Sequence, residues 1–175
     1  MRTKLEEFRT NFPLLSLKPD IIVFVETNLC DNINDSELGL EQYNIYGRDR
    51  HESSGTMKGG GILMAINKKI SSNVILCDYN LKCEQLFVKL KIGSKHIIIG
   101  AAYIPPLSCT DIYECHVNTV EAIYQNYHEH CNFIVVGDYN LPKTSWINGA
   151  DVDESLNINC YHDDNLIRTN ATTLV

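Results

Sequence analysis

The stretch Phe133-Ile134-Val135-Val136-Gly137-Asp138-Tyr139-Asn140-Leu141-Pro142 decides the fold. Its apolar run stops at Gly137 and hands over to an acid and an amide two residues apart. A buried strand reads as such a run, and its end delivers polar groups to a sheet edge. The pattern occurs earlier too. Ile21-Ile22-Val23-Phe24-Val25 follows Lys18-Pro19-Asp20, reads as a strand buried on both faces, and ends in Glu26-Thr27-Asn28.

Between these runs lie further strands. Leu86, Val88, Leu90 and Ile92 alternate with Phe87, Lys89 and Lys91, Gly93-Ser94 supplies a turn, and Lys95 to Tyr103 returns. Residues 84 to 103 are therefore predicted as a hairpin, an antiparallel element that runs out into Tyr103-Ile104-Pro105-Pro106. Shorter strands are expected at Tyr43 to Gly47, Ile62 to Ile66 and Val74 to Cys77, and a polar loop over Cys30 to Gln42.

Two amphipathic helices are predicted. Thr3-Lys4-Leu5-Glu6 fits a capping box, followed at helical spacing by Leu5, Phe8, Phe12 and Leu15, with Pro13 ending the regular helix. Ser108-Cys109-Thr110-Asp111 caps the second, whose core stripe is read as Tyr113, Val117, Val120, Tyr124 and Tyr127. Without an H-E-x-x-H arrangement, His116, His128 and His130 are read as surface residues. The acidic, asparagine-rich segment from Asp151 to Asn165 reads as an extended loop.

With 175 residues, 44% of them hydrophobic, the chain fits one domain over 1–175 with a sizeable core. A formal net charge of -7 argues against general polyanion binding, which depends on lysines and arginines displacing phosphate counterions. Seven scattered cysteines contain no C-x-x-C pair and are read as reduced thiols. No signal peptide is evident, and no apolar run approaches the roughly 20 residues that span a bilayer. A soluble, intracellular protein, nuclear or cytoplasmic, with no membrane partner is expected.

Brought to one sheet edge, Glu26, Tyr103, Asp138 and Asn140 would form a site. Oxygen-only ligands suit magnesium, which takes one or two carboxylates, keeps several waters and accepts phosphate oxygens. Standing alone, Glu26 reads as a solvated strand-end residue, so its weight depends on a partner. Arg48, Arg50 and Lys58, beside Gly59-Gly60-Gly61, read either as a phosphate-contacting rim or as a solvated loop, and the second is preferred. Neither G-x-x-x-x-G-K-[ST] nor G-x-G-x-x-G occurs.

Five blocks in order carry a resemblance. They are Arg2 to Phe8, Pro19 to Thr27, Arg48-Asp49-Arg50 to Gly59-Gly60-Gly61, Ala102-Tyr103-Ile104-Pro105-Pro106, and Gly137 to Pro142. Together they resemble the endonuclease/exonuclease/phosphatase superfamily, with the greatest similarity to the apurinic-endonuclease-like domain of non-LTR retrotransposons. The resemblance implies a four-layer α/β sandwich, two packed mixed β-sheets flanked by helices. It implies magnesium-dependent hydrolysis of a DNA phosphodiester, with manganese as a substitute metal and a reverse transcriptase domain as partner in the full-length element. Glu26 would bind the metal, Asp138 would align or activate the attacking water, and Asn140 and Tyr103 would hold phosphate oxygens.

The chain also departs from that pattern. The family begins with a strand carrying an Asn before the first helix and ends with a strand and a Ser-Asp-His segment; neither is found here. The resemblance therefore implies an incomplete domain, lacking the first strand and the final strands, whose activity is in question. Two alternatives follow: a catalytically dead remnant or interaction module, and a phosphatase of the same superfamily.

Overall fold

The run Glu84–Ile92 sends successive side chains to opposite faces, and both faces are covered from Glu84 as far as Leu90. In the computed structural model, residues 8, 10–14, 16, 18–27, 38–48, 61–77 and 83–141 are described. Among them are seven strands: β1 (Ile21–Val25), β2 (Tyr43–Arg48), β3 (Ile62–Asn67), β4 (Ser71–Val74), β5 (Glu84–Ile92), β6 (Lys95–Tyr103) and β7 (Cys131–Asp138). One long helix, α1 (Thr110–Tyr127), joins β6 to β7, and a 3-10 turn occupies Phe12–Leu14.

The strands form two sheets, in the orders β1-β3-β2 and β4-β5-β6-β7. The first is antiparallel throughout its described strands; the second is mixed, because α1 returns the chain to lay β7 parallel to β6. The predicted hairpin is present, paired from Glu84↔Tyr103 to Ile92↔Lys95 around Gly93-Ser94.

Period-2 alternation distributes the core. Ile62, Met64 and Ile66 of β3 meet Leu86, Val88 and Leu90 of β5 and Ile99, Ala101 and Tyr103 of β6 between the sheets. Leu63 and Ala65, on the other face of β3, pack with Phe12, Leu38, Leu40 and Tyr43. Phe87, Ile98 and Phe133, on the outer face of the second sheet, pack with Ile123 of α1. Helical chain, sheet, sheet and helix thus make a four-layer α/β sandwich, with its central core between the sheets.

Several local readings are corrected. The strand expected at Val74 to Cys77 lies earlier, at Ser71–Val74, paired with Lys91 to Val88 of β5. An edge strand is specified by its backbone ladder, so polar Ser71-Ser72-Asn73 serves while Leu76 stands 87% exposed. Strand β1 is half-buried rather than enclosed, since β3 is its only pairing partner among the described residues. Ser108 does not cap α1: its hydroxyl donates to the Pro105 carbonyl at 2.7 Å, and Cys109 holds the cap position without a side-chain bond. On α1, Val120, Tyr124 and Tyr127 of the expected stripe pack partly buried against the core, but the fully buried residues are His116, Thr119 and Ile123, and Val117 is 55% exposed. The capping box at Thr3 to Glu6 and the segment Asp151 to Asn165 lie outside the described residues.

Candidate active site

Pairing Tyr103 with Asp138 in the β6–β7 ladder puts two of the expected site residues side by side at one end of the second sheet. That register depends on Gly137. A Cβ there would sit 2.3 Å from the carbonyl oxygen of its neighbour Ala102, so only glycine lets β7 approach β6 closely enough at this point.

Beyond β7 the chain turns at once. The Asp138 carboxylate accepts the Asn140 backbone N–H at 3.1 Å, and the Ile104 N–H donates to the Asp138 carbonyl at 2.9 Å. Asn140 takes a φ of 48° and its Nδ2 donates to the Ile104 carbonyl at 2.9 Å. An amide nitrogen carries two donors, so this bond fixes where the second one lies.

Glu26 comes from the other sheet. It follows β1 with a φ of 53°, and its carboxylate accepts a hydrogen bond from the Tyr103 hydroxyl. All four expected residues are thereby brought to one end of the sandwich. Glu26 and Asn140 are two of the three described non-glycine residues at positive φ, a conformation that persists only where surrounding contacts hold it.

A second strap ties the sheets beside this point. Gly61, at φ 90°, donates its N–H to the buried Glu84 carboxylate at 2.7 Å, and its carbonyl accepts the Thr27 N–H at 3.2 Å. Glu84 itself faces Tyr103 in the β5–β6 ladder. Sequence reasoning missed Glu84, although alternation through Leu86, Val88 and Leu90 places it on the inner face. Of the suggested basic rim, Arg48 ends β2 half-buried and donates to the Gln85 carbonyl at 3.2 Å, so it is not part of a solvated loop. Arg50 and Lys58 lie outside the described residues.

The reading of His116 as a surface residue is overturned. His116 is 7% exposed, with Nδ1 2.8 Å from Gln85 Oε1 and Nε2 3.2 Å from the Tyr139 hydroxyl. Gln85 Nε2 donates to Thr119 Oγ1 at 2.9 Å, and Thr119 donates to the Cys115 carbonyl at 2.7 Å. Desolvation lowers the His116 pKa to about 4. Burial first, and then nearby Cys83, raises the Tyr139 phenol to about 12, while burial raises the Cys83 thiol to about 12 as well. The signal lay in the spacing: His116, Thr119 and Ile123 recur at three and four residues, one position off the aromatic stripe. His130, by contrast, is exposed as expected.

The four-layer α/β sandwich is a fold shared with solved structures of endonuclease/exonuclease/phosphatase type. The catalytic domain of human nocturnin, solved with bound sulfate, aligns with a TM-score of 0.53 at 17% identity over 78% of this chain and 55% of its own. TDP2 from C. elegans aligns with a TM-score of 0.52 at 16% identity, over 84% of this chain and 46% of its own. The endonuclease domain of TRAS1, a telomere-specific non-LTR retrotransposon, aligns at 0.49 and 11% identity, over 79% of this chain and 52% of its own. The chain thus spans about half the length of these structures. No family model and no curated protein matches the chain. Among the described residues no helix is long and apolar enough to cross a membrane.

Proposed function

We propose that this chain carries a divalent-metal-dependent phosphodiesterase site built from Glu26, Tyr103, Asp138 and Asn140. The observation that carries the reading is the convergence of Glu26 from one sheet with the other three residues from the second, with Glu26 and Asn140 both held at positive φ.

The donor chemistry fits magnesium. Among the described residues no three His, Cys, Asp or Glu side chains gather into a dense cage. Magnesium does not require one, because it keeps waters and binds through one or two carboxylates plus substrate phosphate. Glu26, whose carboxylate accepts from the Tyr103 phenol, would hold it. When bound, the metal would neutralise charge that develops on the phosphoryl oxygens.

This chain's own residues supply the rest. Asp138, exposed and in contact with the Asn140 N–H, would accept a proton from an attacking water. The second Nδ2 donor of Asn140 would hold a non-bridging phosphate oxygen, orienting the phosphorus so that the leaving ester oxygen lies opposite the attacking water; the ester P–O bond would break as the new P–O bond forms, and the departing alkoxide would take a proton from solvent. Tyr103 has one hydroxyl proton, given to Glu26, so its role is to orient that carboxylate until substrate arrives. DNA as the substrate, and a reverse transcriptase domain as partner, rest on the motif order in the sequence.

Nicking of supercoiled plasmid by the chain in magnesium or manganese, with EDTA as control, tests this reading. A phosphomonoester assayed in parallel separates a phosphodiesterase from a phosphatase. Nicking abolished by EDTA and by Asp138→Ala supports the proposal; phosphomonoester hydrolysis alone would favour the phosphatase. Absence of both activities would favour a scaffold without catalysis.

A further inference from the structure

Tyr139 lies between the two residues proposed to act on the phosphodiester, yet it points the other way, toward α1. Its hydroxyl meets His116 Nε2 at 3.2 Å, and its backbone carbonyl accepts the Tyr113 hydroxyl at 3.1 Å. The helix therefore grips this one residue by both side chain and main chain.

Their polarity follows from donor counting. Thr119 gives its single proton to the Cys115 carbonyl, so its oxygen accepts from the Gln85 amide nitrogen. With its nitrogen thus assigned, Gln85 presents Oε1 to His116, and Nδ1 must be the protonated ring nitrogen. Nε2 is then an acceptor, and the Tyr139 hydroxyl donates to it. Every bond in the chain from Tyr139 to Cys115 has one consistent direction, so a satisfied buried network holds a unique geometry.

We infer that Tyr139, held by His116 and Gln85, is a clamp that fixes Asp138 and Asn140 in their working geometry, which makes all three positioning residues for the reaction proposed above. Asn140 at φ 48° is the segment's most demanding backbone position, and it directly follows the clamped residue. A left-handed amide carrier persists only if its surroundings over-determine it. Local bonds to Asp138 and Ile104 supply part of that constraint, and α1 supplies the rest from behind the sheet. If Tyr139 served only as packing, phenylalanine would replace it without consequence.

The inference rests on the phosphodiesterase reading for its catalytic meaning, but the clamp itself has an independent readout. Amide hydrogen exchange is followed at Asn140 and Ile104, whose N–H groups bond Asp138, and at Asn67 of β3 in the other sheet, whose N–H bonds the Asp20 carbonyl. Tyr139→Phe removes the hydroxyl alone. It is expected to speed exchange at Asn140 and Ile104 about tenfold while Asn67 is unchanged. Plasmid cleavage by the same variant is expected to lose kcat about tenfold with KM held. His116→Gln, which keeps an acceptor for Tyr139 and a donor for Gln85, is expected to retain more rate than His116→Leu. Unchanged exchange at Asn140 and Ile104, or equal acceleration at all three amides, would overturn the clamp. Locally faster exchange with undiminished kcat would overturn its positioning role. Should the unsubstituted chain fail to cleave, the function proposal falls, and the exchange result alone decides whether the clamp exists.

Discussion

The Tyr103 hydroxyl donates a hydrogen bond to the Glu26 carboxylate, joining the last residue of β6 to the residue that follows β1 in the facing sheet. The contact spans the two sheets at the end where Asp138 and Asn140 also lie, so the geometry of the proposed metal ligand depends on a phenol whose ring is part of the central core.

Tyr103→Phe should keep the ring packing and lose the orientation of Glu26. Groups that orient a metal ligand commonly change affinity by about 10- to 100-fold when removed. The expected outcome is a magnesium-dependent rise in Tm in the unsubstituted chain, shifted to correspondingly higher magnesium in Tyr103→Phe and absent in Glu26→Ala. Equal magnesium dependence in all three would remove Glu26 from the metal site.

Gly137→Ala tests the close approach of β7 to β6. A new Cβ would lie 2.3 Å from a backbone oxygen that cannot swing aside, so the strands must separate. A loss of about 1–3 kcal/mol is expected by urea denaturation. Gly47→Ala is the control: there the nearest atom is 4.0 Å away, and stability should change little.

Acid should weaken the fold through His116. Its folded pKa, about 4, lies below the ordinary 6.5, so the unfolded chain takes up the proton first as pH falls. Stability from this group is fully present above pH 6.5, declines between there and pH 4, and is lost below. A shift of that size corresponds to about 3 kcal/mol. Urea midpoints measured across that window should fall for the unsubstituted chain and fall less for His116→Gln; parallel declines would assign the acid sensitivity elsewhere.

Much of this architecture was legible because its signals are local. Alternation through β5 and the Gly93-Ser94 turn specified the hairpin, and Glu26, Tyr103 and Asp138 with Asn140, each at the end of an apolar run, marked the candidate-site end of the sheets. What could not be read were relationships that only packing creates. Tyr103 donating to Glu26 requires the stacking of two sheets across 77 residues of sequence. His116 reads as surface in the absence of an H-E-x-x-H arrangement, and becomes core because Gln85, from a strand 31 residues away, satisfies it. Likewise the strand at Ser71–Val74 lacks an apolar signature, since its place is set by the exposed ladder edge of β5.

Phosphodiester cleavage by Asp138→Asn tests the central claim most directly. The substitution keeps the shape of the side chain and an oxygen that can accept the Asn140 N–H, while removing the charge and basicity. With saturating magnesium, the account predicts that the unsubstituted chain cleaves supercoiled plasmid and that Asp138→Asn loses about 100-fold or more in rate at undiminished thermal stability. Cleavage by Asp138→Asn at the unsubstituted rate would contradict the account.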